Sequence, residues 1–344
     1  MNPILPARFP LQRLAAAAAL ASGMLLTACG GGDSTPPATT TPLSQPDATA
    51  DSANASSTGN DTASALDTVI DTTSALALAT ASASSAPADR EQALSAGASA
   101  ASGVTNVTVN CAGGGTATLS ITGGTAASEL NGQLDAGEHY SVTYAQCTGA
   151  AGYAQLNGNV EMDVVSADHA TSPASVAVNL TVTGLALSLP AGTATLNGTA
   201  SVSRSVVSAG GTTTTTSHVT VPSATLATAF NARSGSFTLS DLDATRTLTT
   251  VAGVVTASQY DGHHTLSGSA NGRTFSMTVA TTGNVSYDAT GALVSGAWTV
   301  VRPHATIATT VANGTVIITV DDGNDGTIDH TWTFPAAQLV AAAG

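Results

Sequence analysis

The sequence predicts an all-β domain, built as a long antiparallel up-and-down meander that curls into a barrel, a half-barrel or a sandwich. From residue 104 to residue 334, short runs alternate apolar with hydroxyl-bearing residues, as half-buried strands do. Turn-forming residues separate these runs at short intervals. A stretch of this length has room for roughly 14–18 strands, and an open flat sheet of that width would be unusual. We therefore expect the sheet to curl around an apolar interior.

The alternation is clearest where a run is long. Tyr140, Val142 and Tyr144 would share one face of a strand, with Ser141 and Thr143 on the other face. The same pattern returns at residues 160–164, 176–182, 185–189, 275–279 and 328–334. One apolar and one polar face indicate that each strand is buried on one side only.

Asn-Gly pairs predict the positions of tight hairpin turns. Both central residues of such a turn need a positive φ, which asparagine and glycine tolerate better than other residues. Strands joined by a two-residue turn must be antiparallel, which favours the meander. The pairs are Asn157-Gly158, Asn197-Gly198, Asn271-Gly272 and Asn313-Gly314.

Residues 1–28 read as an export signal. Arg8 and Arg13 precede an apolar run, Leu14–Leu26, which ends in the tetrapeptide Leu26-Thr27-Ala28-Cys29. The run is shorter than the roughly 20 apolar residues that span a bilayer. An ordinary secretory signal peptide fits it nearly as well, but such a signal does not require a cysteine after the small residues.

These residues resemble the lipobox of bacterial (Gram-negative) lipoprotein precursors, while the β-rich remainder resembles no named family. The resemblance implies cleavage before Cys29, a diacylglyceryl thioether on its sulfur and acylation of the new amino terminus. Because Gly30 stands where an aspartate would signal retention in the inner membrane, the resemblance also implies sorting to the outer membrane. The implied partners are the membrane, contacted through the lipid, and the lipoprotein processing and sorting machinery. The protein would lie in the cell envelope, periplasmic or surface-exposed.

The charge balance excludes nucleic acid as a partner. Removing residues 1–28 takes away Arg8 and Arg13 but no acid, which leaves 22 acids against six arginines and no lysine. The remaining arginines are scattered singly, whereas a phosphate backbone needs a basic stripe. A net negative surface also repels nucleic acid at long range.

Residues 29–62 predict a disordered tether. Four prolines stand among Thr, Ser, Ala and Asp, and the segment contains no aromatic residue. It cannot bury enough apolar surface to offset the entropy of ordering the chain. We therefore expect a solvated spacer between the lipid and the β domain.

Residues 63–103 leave two alternatives open before the β domain at 104–344. The segment is richer in Ala and Leu, and Leu66, Val69 and Ile70 follow helical spacing. Asp89 is a candidate cap for a second segment. The stretch is either one or two short helices that cover an open end of the domain, or Ala-rich disorder.

The cysteines predict one disulfide. With Cys29 modified by lipid, Cys111 and Cys147 remain, and an even pair in an exported protein is most simply a bridge. A metal pair is disfavoured because no histidine flanks either cysteine at ligand spacing. In the chain-entropy model, a loop of this length stabilises a fold by about 3–4 kcal/mol.

Two acidic loops are candidates for weak calcium binding, and no other cofactor is indicated. The first contains Glu129, Asn131, Asp135 and Glu138, which match the back half of an EF-hand loop. Its front half does not match, because the first ligand position falls on Ala127.

The second acidic loop contains Asp321, Asp325 and Asp329 at loop positions 1, 5 and 9. It resembles the calcium turns of bacterial surface proteins, but Gly323 and Trp332 occupy two positions where those turns have ligands. The same residues would also serve as an ordinary hairpin turn between two strands.

Catalytic groups are not indicated. The adjacent His263 and His264 would point to opposite faces of a strand, and no nucleophile elbow, zinc helix or phosphate-cradling loop occurs. We expect no enzyme, but an outer-membrane-anchored lipoprotein that acts as a non-catalytic binding or structural module of the envelope. One alternative is a periplasmic carrier of a lipid or other hydrophobic ligand, which would need an apolar cavity on the order of several hundred Å³. The other is a weak calcium-binding surface or adhesion module.

Overall fold

The predicted fold class is confirmed: a single antiparallel sheet of 14 strands runs in chain order, each strand pairing with its sequence neighbours. The structure is a computed structural model that describes residues 42–83, 105–111, 113–124, 133–148, 155–189, 192–230, 233–270 and 273–342. The first and last strands do not pair with each other, so the curled sheet stays open.

The elements follow one another without a crossover. The strands are β1 (Thr105–Asn110), β2 (Thr116–Thr122), β3 (His139–Thr148), β4 (Gln155–Asp168), β5 (Ala174–Leu189), β6 (Gly192–Ala209), β7 (Thr212–Phe230), β8 (Arg233–Val251), β9 (Val254–Ala270), β10 (Arg273–Asp288), β11 (Leu293–Arg302), β12 (Ala305–Ala312), β13 (Thr315–Asp322) and β14 (His330–Pro335). Helix α1 (Gln45–Ala83) precedes the sheet, and helix α2 (Ala336–Ala342) follows it.

The central strands are longer than the sequence predicted, because two of the Asn-Gly pairs do not form turns. Asn157-Gly158 and Asn197-Gly198 lie inside β4 and β6, next to shifts in the strand register. Each asparagine side chain accepts a backbone N–H of the neighbouring strand, from Gln146 at 2.8 Å and from Gly184 at 2.7 Å. The side chain thus stabilises a bulge, and the strand continues.

The other two pairs have different outcomes. Asn313-Gly314 forms the turn between β12 and β13, with both residues at positive φ, and this prediction is confirmed. Asn271-Gly272 lies outside the described residues, although β9 ends and β10 begins on either side of it.

The predicted tether is wrong for residues 45–62, which form the first half of α1. Ser44 accepts the N–H of Asp47 and caps the helix, and Pro46 stands in the first turn, where its missing N–H has no intrahelical partner to lose. The buried positions of this half are small: Ala48, Thr49, Ala50, Ser52, Ala53, Asn54, Ala55 and Thr58. The segment needs no apolar core of its own because the sheet supplies the apolar surface.

The second half of α1 confirms a helix over residues 63–83, whereas residues 84–103 lie outside the described residues. Ala63 and Ile70 are buried against the sheet, and Leu66 and Val69 pack beside them. We call the face of the sheet that packs on α1 the inner face.

The core lies between α1 and the inner face. Its first part joins the second half of α1 to strands β2–β9, around Leu119, Leu180 and Val219. Its second part joins the first half of α1 to β9–β14 and α2, around Trp298 and Ile307. Helix α1 therefore crosses the sheet diagonally and contributes to both parts.

Candidate functional site

Several side chains on the inner face of β6 and β7 are unusually small. The inward positions of β6 near its beginning include Ala194, Gly198 and Ala200, and Ala224 lies beside Gly198 on β7. The adjacent strands β5 and β8 carry larger residues, leucine or valine, at the matching positions. Because the strand spacing is fixed by backbone hydrogen bonds, small side chains at neighbouring inward positions leave space above the sheet.

This space is an apolar cavity of about 210 Å³ between the sheet and α1. The sheet contributes residues from β4 to β9, mainly Leu, Val and Ala with Phe237. The helix contributes Thr58, Thr62, Ala65 and Leu66. None of the described residues that line the cavity is Asp, Glu, Lys, Arg or His, so these walls suit an uncharged, apolar molecule.

The cavity is closed toward the middle of the sheet. The lining runs along β5 from Leu187 to Leu180, which corresponds to about 20 Å of strand. Beyond it, the next inward residues on four neighbouring strands pack tightly, each at most 2% exposed: Val178, Val202, Val219 and Leu242. The lining reaches within two residues of the end of β5. We call this end of the sheet, where β5, β7 and β9 end and β6, β8 and β10 begin, the proximal rim.

A buried ion pair holds α1 over this part of the sheet. Arg246 Nη1 donates to Asp67 Oδ2 at 3.0 Å, and Ser217 Oγ donates to Asp67 Oδ1 at 2.6 Å. All three residues are buried, and Arg246 and Ser217 are direct cross-strand partners. A charged pair in this setting fixes the register of helix against sheet.

The other half of α1 is held in the same way. Arg302 Nη1 donates to Asp51 Oδ2 at 2.6 Å, and burial raises the pKa of Asp51 while Arg302 counteracts that shift. Nearby, the indole N–H of Trp298 donates to the carbonyl and hydroxyl oxygens of Ser52, both at 3.1 Å. Two arginines that seemed scattered in the sequence therefore serve one purpose, the docking of α1.

Gly59 lies where α1 approaches Tyr260 and His264. A Cβ at Gly59 would lie 2.0 Å from the Tyr260 hydroxyl, so only glycine fits there. The Tyr260 hydroxyl and both nitrogens of His264 are buried without a hydrogen-bond partner among the described residues. Burial lowers the pKa of His264 to about 4, with a smaller contribution from His263, so the imidazole is neutral at pH 7.

The histidine prediction is confirmed, since His263 is exposed and His264 is buried on the opposite face. The disulfide prediction is confirmed as well: Cys111 and Cys147 are bridged, with Cα atoms 5.3 Å apart. The bridge joins the end of β1 to β3. Cys29, the predicted lipidation site, lies outside the described residues.

The first acidic loop is only partly described. Glu129 and Asn131 lie outside the described residues. Glu138 is buried, and its Oε2 accepts the Tyr140 hydroxyl at 2.6 Å and the Asp135 N–H at 2.9 Å. This carboxylate therefore stabilises the entry into β3.

The carboxylates of the second loop accept backbone N–H groups. Asp321 accepts from Asp325 at 3.1 Å and from Gly326 at 2.8 Å, and Asp329 accepts from Asp322 at 2.7 Å. Among the described residues, no three His, Cys, Asp or Glu side chains form a group that could hold a metal ion. Calcium binding stays a prediction for both loops.

Comparisons with known proteins leave the geometry as the guide to function: no family model matches the chain, and neither a curated protein nor a solved structure matches it. Within the described part of the chain, neither helix is long and apolar enough to cross a membrane.

Sequence reasoning named an apolar cavity only as the requirement of a carrier, without its residues, and it missed the first half of the helix that forms one wall. The signal for the helix was present in the cap at Ser44 and the small residues that recur along residues 48–63. The signal for the cavity was weaker, because Ala194, Gly198 and Ala200 read as ordinary strand residues until their neighbours across the sheet are known. Strand register is a long-range property, and local turn signals such as the Asn-Gly pairs do not determine it.

Proposed function

We propose that the chain is an outer-membrane-anchored lipoprotein whose β domain is a non-catalytic module that binds a small hydrophobic ligand. The observation that carries the proposal is the apolar cavity between α1 and strands β4–β9. Concave, mostly apolar sites of this kind are where proteins bind small molecules. The described lining residues are apolar or uncharged, which supports binding as the role of the cavity.

The size of the cavity favours binding over transport of a whole lipid. At about 210 Å³, it is larger than an engineered cavity of about 150 Å³ that binds benzene. It is smaller than the pockets of about 300–1,000 Å³ that enclose drug-sized ligands. A carrier of multi-chain lipids would need more room, so a small ligand or a single chain is the better fit.

The anchor is supported by the lipobox-like residues before Cys29. Twelve residues lie between Cys29 and residue 42, and this distance along the chain spans at most about 45 Å when extended. The described chain begins beside the end of β13, where Leu43 donates its N–H to Asp322 at 3.2 Å. This contact supports an anchor on the side of the sheet where β13 ends. Several acyl chains together would anchor the domain durably.

The anchor is tested in cells and by mass. Globomycin, which blocks the lipoprotein signal peptidase, should cause the precursor to accumulate, and the purified mature protein should be heavier than its polypeptide by the mass of the lipid. Unchanged processing, or a mass equal to the bare chain, would show that the lipoprotein assignment is wrong.

Ligand binding is tested by filling the cavity. Ala224 lines the cavity on β7, whereas Ala227 on the same strand is exposed on the outer face. The fluorescent apolar probe N-phenylnaphthylamine should bind the mature protein, and Ala224→Leu should weaken its binding at least tenfold. Ala227→Leu adds the same volume outside and should leave the affinity unchanged.

The thermal unfolding of both variants provides the control for folding. If the probe binds equally to the two variants while both remain folded, the cavity is not the binding site. If it does not bind the unmodified domain, the proposed function fails.

A further inference from the structure

We propose that acid opens the cavity: protonation of His264 displaces the middle of α1, residues 56–62, from the sheet and speeds release of the bound ligand. The inference rests on the proposed function and concerns the regulation of the same site. It combines the contact of α1 with His264 at Gly59, the missing hydrogen-bond partners of this histidine and the cavity wall that the same part of the helix provides.

His264 lies directly under α1 at the edge of the cavity. A Cβ at Gly59 would lie 3.2 Å from His264 Nδ1 and would overlap the Tyr260 hydroxyl, so the helix backbone rests on both side chains. Along β9, His264 lies two residues farther from the proximal rim than cavity-lining Leu266, on the same face of the sheet. A change at the histidine ring therefore acts on the helix and on the cavity at one place.

The helix, not the strand, yields when a charge appears at this contact. Strand β9 is paired with β8 on one side and with β10 on the other, so His264 cannot leave the interior without breaking the sheet. Helix α1 is held by side-chain contacts, and its two ion pairs, at Asp51 and Asp67, lie eight residues to either side of Gly59. Between them, residues 56–60 (Ser-Ser-Thr-Gly-Asn) are all poor helix formers, so the helix is intrinsically weakest there.

Movement of this segment removes one wall of the cavity. Thr58 and Thr62 line the cavity, one residue before and three residues after Gly59. Their hydroxyls donate to carbonyl oxygens of α1 itself, Asn54 at 2.8 Å and Thr58 at 2.7 Å, so these hydrogen bonds do not tie the helix to the sheet. When the segment moves away, an apolar ligand loses contacts and meets water, which favours its release.

Protonation of His264 is unfavourable while the helix is docked. The side chain is 1% exposed, and neither ring nitrogen has a hydrogen-bond partner among the described residues. Burial, with a smaller contribution from His263, lowers the pKa of His264 to about 4. In the open form water reaches the ring and the pKa returns toward about 6.5. The open form therefore takes up the proton first, and the equilibrium shifts toward it as the pH falls below about 6.5.

The charged groups on α1 and β8 do not compensate a proton on His264. Asp67 already accepts from Arg246, which is the cross-strand partner of Tyr260. Burial raises the pKa of Asp61, and Arg246 offsets only part of that shift. Protonated His264 would add a second buried positive charge to a region that already contains Arg246, which is costly without a partner of its own.

Other ionisable groups near His264 are neutral or lie on the opposite face of the sheet. Burial raises the pKa of Tyr260 on β9 and of Tyr287 on β10, so both hydroxyls stay protonated at neutral pH. The Tyr287 hydroxyl donates to the Ser56 carbonyl oxygen at 3.4 Å, a contact that opening would break. The outer face of β8 and β9 carries the exposed side chains of Asp241, Asp243, Asp261 and His263.

The experiment measures how fast N-phenylnaphthylamine dissociates from the mature protein at pH 7.5 and at pH 5. The probe is uncharged over this range, so its own titration does not contribute. One histidine with these two pKa values can shift the opening equilibrium by a factor of about 25 between the two conditions. We expect the dissociation rate to rise at least about tenfold in stopped-flow dilution. Hydrogen exchange, corrected for its intrinsic pH dependence, should accelerate at residues 56–62 by a similar factor while β9 stays protected.

Histidine variants assign the response to one ring. His264→Leu should keep the dissociation rate at pH 5 within about twofold of the rate at pH 7.5, because no group titrates at the contact. His263→Leu is the same substitution on the outer face and should retain the full acceleration. His264→Gln gives a second neutral variant should the leucine variant fail to fold, and thermal unfolding at pH 7.5 establishes which variants are folded.

A helix variant tests the moving element at neutral pH. Gly59→Ala places a methyl group against the Tyr260 hydroxyl, so α1 should stand off the sheet and the probe should dissociate faster at pH 7.5, although alanine is the better helix former. Ser57→Ala, two residues earlier on α1, should leave the rate unchanged. An unchanged rate in Gly59→Ala would show that α1 is not the moving element.

The outcomes are distinguishable from failure of the proposed function. If the probe binds but dissociates equally fast at both pH values, or if His264→Leu retains the acceleration, the switch is overturned while the cavity remains a binding site. If the probe does not bind at pH 7.5, the proposed function fails. Hydrogen exchange at residues 56–62 then decides whether acid displaces the helix.

Discussion

Two regions of the inner face meet the same helix but differ in packing. Over β11–β13, large side chains such as Trp298, Ile307 and Ile318 are fully buried against the small residues of the first half of α1. Over β6 and β7, small side chains such as Ala200 and Ala224 meet Thr62 and Ala65 near the middle of the helix, and a cavity results. Apart from Leu66, the helix residues that face these two regions are small, so the sheet decides where the interior is filled. A large side chain on the sheet opposite a small helix residue fills the interior, whereas small side chains on both elements leave a cavity.

The largest loss of stability is expected when a large side chain is removed from the tightly packed region over β11–β13. Trp298→Ala removes the largest fully buried side chain together with its hydrogen bonds to Ser52. We expect the free energy of unfolding to fall by about 3–5 kcal/mol. Chemical denaturation measures it, and Trp332→Ala, at a half-buried position, should cost clearly less. Equal losses would mean that the filled region is not solidly packed.

The next effect concerns the ion pair that holds α1 over the cavity region. Asp67→Ala leaves Arg246 buried without its partner and should lower the free energy of unfolding by about 3 kcal/mol. The double variant Asp67→Leu, Arg246→Met removes both charges and should recover most of that loss. A single variant as stable as the unmodified protein would indicate that α1 is held by other contacts.

A pH effect of similar or smaller size arises at His264, next to cavity-lining Leu266. Its pKa is lowered to about 4 in the folded protein, against about 6.5 when unfolded, so the unfolded chain binds the extra proton between these values. The contribution of neutral His264 to the free energy of unfolding is therefore fully present above pH 6.5. It decreases toward pH 4, by on the order of 3 kcal/mol. Denaturation curves across this range should show the decrease, and His264→Leu should reduce the slope. An unchanged slope in the variant would assign the pH dependence to other groups.

The smallest change in stability gives the most direct comparison of the two regions, because the same alanine-to-leucine substitution is made at two positions of α1. Ala53→Leu overfills the packed region and should cost about 1–3 kcal/mol. Ala65→Leu adds its side chain to the cavity and should be neutral or slightly stabilising. Both variants make the same change in helix propensity, so any difference between them reports packing. Melting temperatures measure both, and equal losses would contradict the difference between the two regions.

The sequence predicted the sheet from local patterns. Alternation at residues 140–144 and 160–164 was sufficient to predict half-buried strands, and pairing of successive strands followed from their spacing. The disulfide followed from the count of cysteines. The first half of α1 was mispredicted because a composition rule was applied to residues 29–62 in isolation. That rule asks whether a segment can bury its own apolar surface, and it fails when another element supplies that surface.

The candidate site was not predictable at the same level. Asn157 and Asn197 have the local chemistry of a turn, but they cap N–H groups on neighbouring strands and keep β4 and β6 continuous. The resulting register decides which alanines face inward together. The arginines Arg246 and Arg302 likewise have no local pattern, because their partners on α1 are far away in the chain.

The sequence by itself determined the strands, their antiparallel order, the bridge between Cys111 and Cys147, and the strong negative charge. Those properties depend on near neighbours in the chain, on composition, or on a single pair of reactive groups. Only the tertiary structure decided that α1 lies across the inner face and that a cavity remains beside Ala200 and Ala224. Packing volume is a sum over residues that are distant in sequence, so it becomes defined only when the sheet register and the helix position are both fixed.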